Sequence, residues 1–360
     1  MRNMTTSCAV AMCLFVLSLP VPAGQGVVAP AAVPAKAPPG AESRIRLDVV
    51  VSDKSGKPVA GLEQQDFTVL DNKRPVKILS FEAVRGARGD TEPIEVILLI
   101  DSVNTSYTHV GYERDEIKKF LRQDGGALAL PVSIAFLSDS GLTMQGAASR
   151  DGNALVAYLD HNESALRTIN RSQGFYGADD RTQLSINALQ QLVENAAKSP
   201  GKKIVICVSP GWPLLSGPQV ELTRKNQEQI FSMIVSLSTQ LRDSGVTLYC
   251  VDPLGPTESQ GREFYYESFL KPARKPSEVL MGDLALQVLA SQSGGRVLDA
   301  GNDVAGKIET CVRDADAYYV LSIDSVPADG PNEYHALEVK IARPHLKAQT
   351  RAGYYTQPTL

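Results

Sequence analysis

The sequence predicts an α/β fold, a doubly wound, mostly parallel sheet inserted in a small discontinuous β domain. Three observations predict it. The stretch Ile94-Glu95-Val96-Ile97-Leu98-Leu99-Ile100-Asp101 is apolar almost without alternation, the mark of a central parallel strand covered on both faces, and it ends on an acid. From Val132 to Val312 such runs alternate with helical periodicity, which gives βαβ units. Before residue 92 and after residue 315 the period returns to two, so strands with one buried face flank the insertion at both ends.

The first 23 residues read as a secretory signal peptide: Arg2, the apolar run Cys8 to Leu19, then the small-residue site Val21-Pro22-Ala23. That run is shorter than the ~20 residues needed to span a bilayer, and no transmembrane segment is expected after cleavage. Residues 24–43, rich in Ala and Pro, form an extended linker. Removing Arg2 leaves 35 basic residues against 40 acidic, a balance that gives no attraction to nucleic acid. Three of the five cysteines remain, an odd number that argues against a disulfide framework.

Residues 44–92 and 315–360 supply the β domain. Ile45, Leu47, Val49 and Val51 alternate with partly polar positions; the Asp53 to Pro58 turn, the strand Phe67 to Leu70, the turn Asp71-Asn72 and a strand Val76 to Phe81 follow. These residues are too few to bury a core alone. The strands Tyr319 to Ile323 and Leu337 to Ile341 are therefore expected to complete it.

Residues 93–314 form the insertion. Val110, Ile117, Phe120 and Leu121 mark a helix face; Val132 to Leu137 is a strand, turned by Asp139-Ser140-Gly141 into an edge strand, Leu142 to Ala147. Leu184, Ala188, Leu192 and Ala196 mark a helix stopped by Ser199-Pro200-Gly201. Ile204 to Val208 and Val246 to Val251 are strands on either side of the amphipathic helix Ile230 to Leu241. Two helices, one carrying Leu280, Leu284 and Val288 and one carrying Val304, Ile308, Cys311 and Val312, bracket a short strand at Arg296 to Leu298.

The apolar strand ending in Asp101, the Asn104-Thr105 pair, a Thr182 loop entering the helix Leu184 to Ala196, and Ile204 to Val208 entering Ser209-Pro210-Gly211 resemble a von Willebrand factor A-type domain. The flanks, with Asp53, Gly56, Pro58-Val59, Gly61-Leu62, Asp66-Phe67 and Arg351-Ala352-Gly353-Tyr354, resemble the secreted bacterial subfamily of such proteins. The resemblance covers Arg44 to Thr356. It implies a binding or adhesion-type module rather than an enzyme, one that often engages a partner carboxylate through a divalent cation.

The cation site that the resemblance implies is degenerate here. Its Asp-x-Ser-x-Ser run falls on Asp101, Val103 and Thr105, its loop threonine on Thr182, and its second aspartate on Pro210. Valine cannot ligate, and proline offers neither carboxylate nor N–H. Asp101, Thr105 and Thr182 remain as metal ligands, with Asp179, Asp180 or Ser209 as substitutes. No cofactor is expected beyond weakly held Mg²⁺ or Mn²⁺.

Ser209, Asp252 and His335 follow one another in the order of an α/β hydrolase. Pro210 opposes that activity, because the residue after the nucleophile must supply an oxyanion N–H worth about 3 to 4 kcal/mol. The histidines His109, His161, His335 and His345 lack metal-ligand spacing and read as surface residues. The loops expected on the Asp101 edge carry Phe175, Tyr176, Trp212, Phe264, Tyr265 and Tyr266, ring types favoured as interface anchors. The sequence thus predicts a secreted or periplasmic, non-enzymatic protein that binds a protein or cell-envelope ligand through that edge; a scaffold with a vestigial site is the alternative, and a Ser209 hydrolase a third.

Export gives the first test. Mass spectrometry of the protein recovered from its native host is expected to find an amino terminus near Gly24, and an intact Met1 would refute it.

Overall fold

Strand β5 (Ile94–Asp101) runs through the middle of the largest sheet with every side chain buried except the half-buried Glu95. An unbroken apolar run is stable only with both faces covered, and both are. The computed structural model describes residues 44–86, 93–162, 175–213, 222–254, 265–298 and 301–356, and of residues 107, 108, 175 and 176 the backbone alone. On one side of β5 lies β6 (Ala127–Ser138) and on the other β9 (Lys202–Val208), both parallel to it. Beyond β9 come β10 (Val246–Val251) and β11 (Val297–Leu298), also parallel. Beyond β6, β7 (Gly141–Met144) runs antiparallel as an edge strand, and β8 (Ser149–Asp151) also pairs with β6.

The order is β11-β10-β9-β5-β6-β7, so the chain winds outward from β5 on one side and then returns to build the other. The reversal falls between β5 and β9. In an open sheet of this kind the crevice outside the carboxyl ends at the reversal is where ligands bind, and Asp101 and Ser209 lie there.

Helices cover the two faces. Ile97, Leu99, Ala135, Val205 and Cys207 meet α3 (Phe175–Ala196), α4 (Arg224–Asp243) and α5 (Leu286–Ser293). Leu98, Ile100, Ile134 and Ile206 meet α1 (Tyr107–Leu121), α2 (Gly152–His161) and α6 (Val304–Arg313). Helix α2 is absent from the sequence prediction, although its signals are there: Asp151 caps the N–H groups of Asn153 and Ala154, and Leu155 and Leu159 stack one turn apart. The helix predicted through Leu280, Leu284 and Val288 is instead two 3₁₀ turns, Pro276–Glu278 and Met281–Leu284, followed by α5. Extended backbone at Ala285 separates the second turn from the helix.

The flanking strands pair across the whole length of the chain. One four-stranded sheet has the order β14 (Lys347–Gln349), β1 (Arg44–Ser52), β12 (Ala317–Asp324), β4 (Ile78–Arg85). The other has the order β15 (Gly353–Thr356), β13 (Glu333–Ile341), β2 (Phe67–Asp71), β3 (Arg74–Val76). Between them Leu47, Val49, Val51, Val69, Leu321 and Ile323 are buried at 0 or 1% exposure, so neither half of the sequence can close this core without the other. Phe67, Phe81 and Tyr319 pack with ring centroids 4.9 to 5.8 Å apart. The single strand predicted from Val76 to Phe81 is two strands in two sheets: β3 returns on β2 through Asn72 and Lys73, both at positive φ, and the chain crosses at Lys77 to place β4 on β12.

The described residues belong to one compact unit, and the two β sheets are joined to the helical part by charge as well as apolar contact. Lys202, at the start of β9 and 3% exposed, places its ammonium 2.9 Å from Asp48 of β1 and 4.1 Å from the ring centre of Tyr318. Desolvation pushes the Asp48 carboxyl upward, but Lys202 and Arg46 outweigh it and hold it below the usual carboxylate range. That stabilisation is complete above the unfolded carboxylate value of about 4 and is lost as pH falls through the lowered native value. Replacing Lys202 by Met leaves Asp48 without its buried partner. It is expected to cost roughly 3 to 5 kcal/mol in denaturant unfolding at neutral pH, and adding Asp48→Asn should recover much of the loss.

Candidate functional site

Asp101 is the last residue of β5, and at 1% exposure its carboxylate faces protein alone. Oδ1 accepts the backbone N–H groups of Val103 (2.9 Å) and Asn104 (3.0 Å). Oδ2 accepts the Asn104 amide (2.8 Å) and the Ser209 hydroxyl (2.6 Å). Burial raises the Asp101 carboxyl above its ordinary range, and these four donors pull it part of the way back.

The donors tie four elements together. Asn104 also donates to Ser185 Oγ of α3 (2.9 Å), whose hydroxyl donates in turn to Arg181 O (2.8 Å). Ser209, 1% exposed, receives the N–H of Gly211 on its hydroxyl (3.0 Å). Gln287 of α5 donates to Pro210 O (3.2 Å), and its amide lies so close to Gly211 that a Cβ there would sit 2.1 Å from it. With φ at +86°, position 211 suits glycine on both counts.

This arrangement does not fit the metal set that the resemblance implies. Both oxygens of Asp101 are occupied by N–H and O–H groups, which a cation would have to displace. Val103 is packed in the apolar core, and Pro210 brings no carboxylate. Thr182 does not lie in a loop: helix α3 begins at Phe175, and the Thr182 hydroxyl donates to Ala178 O one turn back (2.9 Å) while approaching Pro213 O (3.4 Å). Thr105 is 4% exposed, and its hydroxyl answers the carboxyl of Glu113 on α1. Asp179 and Asp180 are exposed on α3. Among the described residues no three His, Cys, Asp or Glu side chains group to hold a metal.

The hydrolase constellation is not assembled either. Ser209 spends its hydroxyl on Asp101, and Asp252 accepts the N–H of Leu254 (2.8 Å). His335 is no surface residue. It is 2% exposed in the β sheets, with Nδ1 2.9 Å from Asp71 Oδ1 and its ring stacked on Tyr354, whose hydroxyl donates to Asp71 Oδ2 (2.6 Å). Asp71 is the register partner of Leu337, two residues beyond His335 on β13, and a pairing with a strand so distant in the chain is what sequence spacing alone does not reveal.

The aromatic residues divide. Trp212 is 5% exposed and belongs to the core formed with α3, α4 and α5, which corrects its placement on a binding rim. Tyr266 packs against Phe269, Ala285 and Val288. Tyr265 is 45% exposed, its ring 5.9 Å from that of Phe269, and Leu280 nearby in sequence is 52% exposed. Phe264 and the side chains of Phe175 and Tyr176 lie outside the described residues.

Two residues of the site escape the sequence analysis. Ser185 gives no signal beyond its place one turn after Arg181. Glu113 does give one: it interrupts the apolar stripe Val110, Ile117, Leu121 of α1 at helical spacing, and it is 0% exposed.

Searches with protein-family models and against curated proteins return no match. Solved structures that resemble the chain include proximal thread matrix protein 1 of the mussel byssus (11% identity over 66% of this chain and 50% of that one, TM-score 0.36). Others are the pilus adhesin SpaC of Lactobacillus rhamnosus GG in its open conformation (10%, 82% and 42%, 0.39) and manganese-loaded TRAP of Plasmodium vivax (11%, 77% and 99%, 0.34). The chain thus spans half the length of the mussel protein and 42% of the adhesin.

Trp212→Ala is expected to lower stability by about 3 to 5 kcal/mol in chemical denaturation, and Tyr265→Ala by no more than about 0.5 kcal/mol; equal effects would contradict the burial assigned to the two rings. The order of the central sheet, its antiparallel edge strand and the acid closing its first strand make the fold von Willebrand factor A-like.

Proposed function

We propose that the protein is a secreted or periplasmic, non-enzymatic binding module that holds a protein or cell-envelope ligand at the carboxyl edge of its central sheet. The observation that carries the reading is the mutual capture of Asp101 and Ser209, both 1% exposed. The two groups best placed for chemistry at the switch point are spent on each other. What this edge offers a partner is surface, to which the loop after β10 contributes the exposed Tyr265 and Leu280. Tyrosine at a half-exposed position supplies apolar contact and a hydroxyl donor together, a combination favoured at protein interfaces.

The same reading divides the chain into a signal peptide (1–23), a linker (24–43), a discontinuous β domain (44–92 and 315–360) and the inserted domain (93–314). No helix among the described residues is long and apolar enough to cross a membrane. A scaffold role with a vestigial site remains the competing reading, and it demands that the edge bind nothing.

The discriminating experiment is capture of envelope and culture-fluid components by the immobilised mature protein, with and without chelator. Tyr265→Ala together with Leu280→Ser is expected to reduce a captured partner by about tenfold, a loss of ~1.4 kcal/mol, with the melting temperature nearly unchanged. Capture that is specific and indifferent to both substitutions would place the interface elsewhere, and no capture at all would favour the scaffold.

A further inference from the structure

Between the β2–β3 turn, strand β13 and residues 271–276 lies an opening of about 390 Å³, lined by Asn72, Lys73, Arg274, Glu333, Tyr334 and Ala336. Its volume falls within the range of small-molecule sites, roughly 300 to 1,000 Å³. Lys73 and Arg274 are exposed cations, and among the described residues neither has a carboxylate within ion-pair distance. The nearby acids are turned elsewhere. Glu333 Oε2 accepts the N–H of Asp329 (2.7 Å), and Glu278 accepts the backbone N–H of Arg274 (3.0 Å) while pairing with Lys275 (3.7 Å). Asp71, before Asn72 in the chain, is spent on His335 and Tyr354.

The backbone that carries each cation is held in place. The Asn72 N–H donates to Ala336 O (2.8 Å), and the Asn72 side-chain oxygen accepts the Ala336 N–H (3.1 Å). The second bond points the amide oxygen at β13 and leaves the NH₂ group as a donor. Lys73 follows at φ +67°, a position that a two-residue hairpin turn ordinarily gives to glycine. A lysine there carries backbone strain, and its side chain lines the opening. On the opposite wall the carbonyl of Ala273, 4% exposed, accepts the Tyr355 hydroxyl (2.8 Å), and the 3₁₀ turn Pro276–Glu278 follows Arg274 closely. Tyr334 is 8% exposed, with its ring 5.0 Å from that of Tyr355. Burial raises the Tyr334 hydroxyl above its usual range, and the Arg274 charge opposes that rise, so the guanidinium acts on the polar end of the ring.

The opening is therefore rich in donors: an ammonium, a guanidinium and an amide NH₂ line it together, against one carboxylate that is already partly engaged. A group that only accepts is complementary to such a lining, and an oxyanion is that group. We infer that the opening binds an acidic saccharide, its carboxylate or phosphate held by Arg274 and Lys73, with the Asn72 amide donating to the same group and the sugar ring against Tyr334. The planar guanidinium suits two oxygens at once, and the ammonium adds a point charge. Glu333 Oε1 lies 3.9 Å from His335 Nε2, beyond hydrogen-bond distance, and is left to accept a sugar hydroxyl. The same carboxylate repels a second acidic group, which sets one charge per sugar as the fit.

None of these residues belongs to the carboxyl edge, so the inference stands apart from the reading of that edge. The mature protein is titrated by calorimetry at low ionic strength with galacturonate, glucose 6-phosphate, inorganic phosphate and glucose. One equivalent of an acidic sugar is expected to bind with a constant on the order of 10⁻³ M, more tightly than inorganic phosphate, while glucose gives no heat. The tighter of the two acidic sugars tells carboxylate from phosphate. Arg274→Gln and Lys73→Gly are each expected to weaken binding about tenfold, and Lys73→Gly, which suits the left-handed turn, should fold with an undiminished melting temperature. Roughly 0.5 M sodium chloride should weaken binding as well. No heat from either acidic sugar up to about ten times the expected constant would overturn the inference. So would glucose or inorganic phosphate binding as tightly as the acidic sugars, or binding that both substitutions leave unchanged.

Discussion

The arrangement of the carboxyl edge depends on how one buried carboxylate is satisfied. Asp101 closes the central strand at 1% exposure, and an acid so placed is stable only if donors replace the water it has lost. Four donors do so, and they come from two places in the chain: the turn at Val103 and Asn104, and the Ser209 hydroxyl at the end of β9. Because Asn104 also reaches Ser185 and Ser209 also receives Gly211, the carboxylate fixes the relative position of β5, β9 and α3. The crevice of the doubly wound sheet is closed from inside by these bonds.

The β sheets impose a second constraint, of chain topology. Strand β1 lies between β12 and β14, so its inward side chains are covered only after more than 250 residues of intervening chain have folded or been bypassed. Pairings so distant in sequence pay loop-closure entropy before they return contact energy, which makes them slow to form. Lys202 adds orientation to that closure. Its ammonium answers Asp48 of β1 and rests on Tyr318 of β12, so one side chain at the start of β9 registers both strands against the helical part.

What the sequence disclosed follows from which signals are local. Periodicity located β5, β9, β10, the α4 stripe and the pairing of the two ends, because burial repeats along the chain at fixed spacing. The turn after β2 was legible to within one residue, expected at Asp71-Asn72 and found at Asn72 and Lys73, because asparagine tolerates positive φ. The crossing at Lys77 was not, because the residues before and after it have the same strand character and the change of sheet is decided by partners elsewhere. Thr182 was misplaced by assuming a loop where α3 already runs, and Trp212 by treating a loop residue as a surface residue. His335 was hidden for a similar reason: the Asp71 carboxylate that satisfies it is 264 positions away.

The two substitutions that make the expected metal set incomplete also bear on what replaces it. With valine at 103 the loop offers Asp101 a backbone N–H and packs its side chain into the core, so the position contributes to the hydrogen bonding and to apolar burial together. With proline at 210 there is no second acid at the end of β9 to repel Asp101, and the preceding Ser209 turns its hydroxyl onto it. A metal shell and a hydrogen-bond shell answer the same need, compensation of a desolvated carboxylate, but they require opposite neighbours: further acceptors for the first, donors for the second. Around Asp101 the neighbours are donors. Around Glu113 the Thr105 hydroxyl is the donor that answers the carboxyl, while burial and the charges of Asp101 and Asp252 raise it well above its usual range. The two buried carboxylates of this edge are therefore compensated differently, Asp101 by four donors and Glu113 by one hydroxyl.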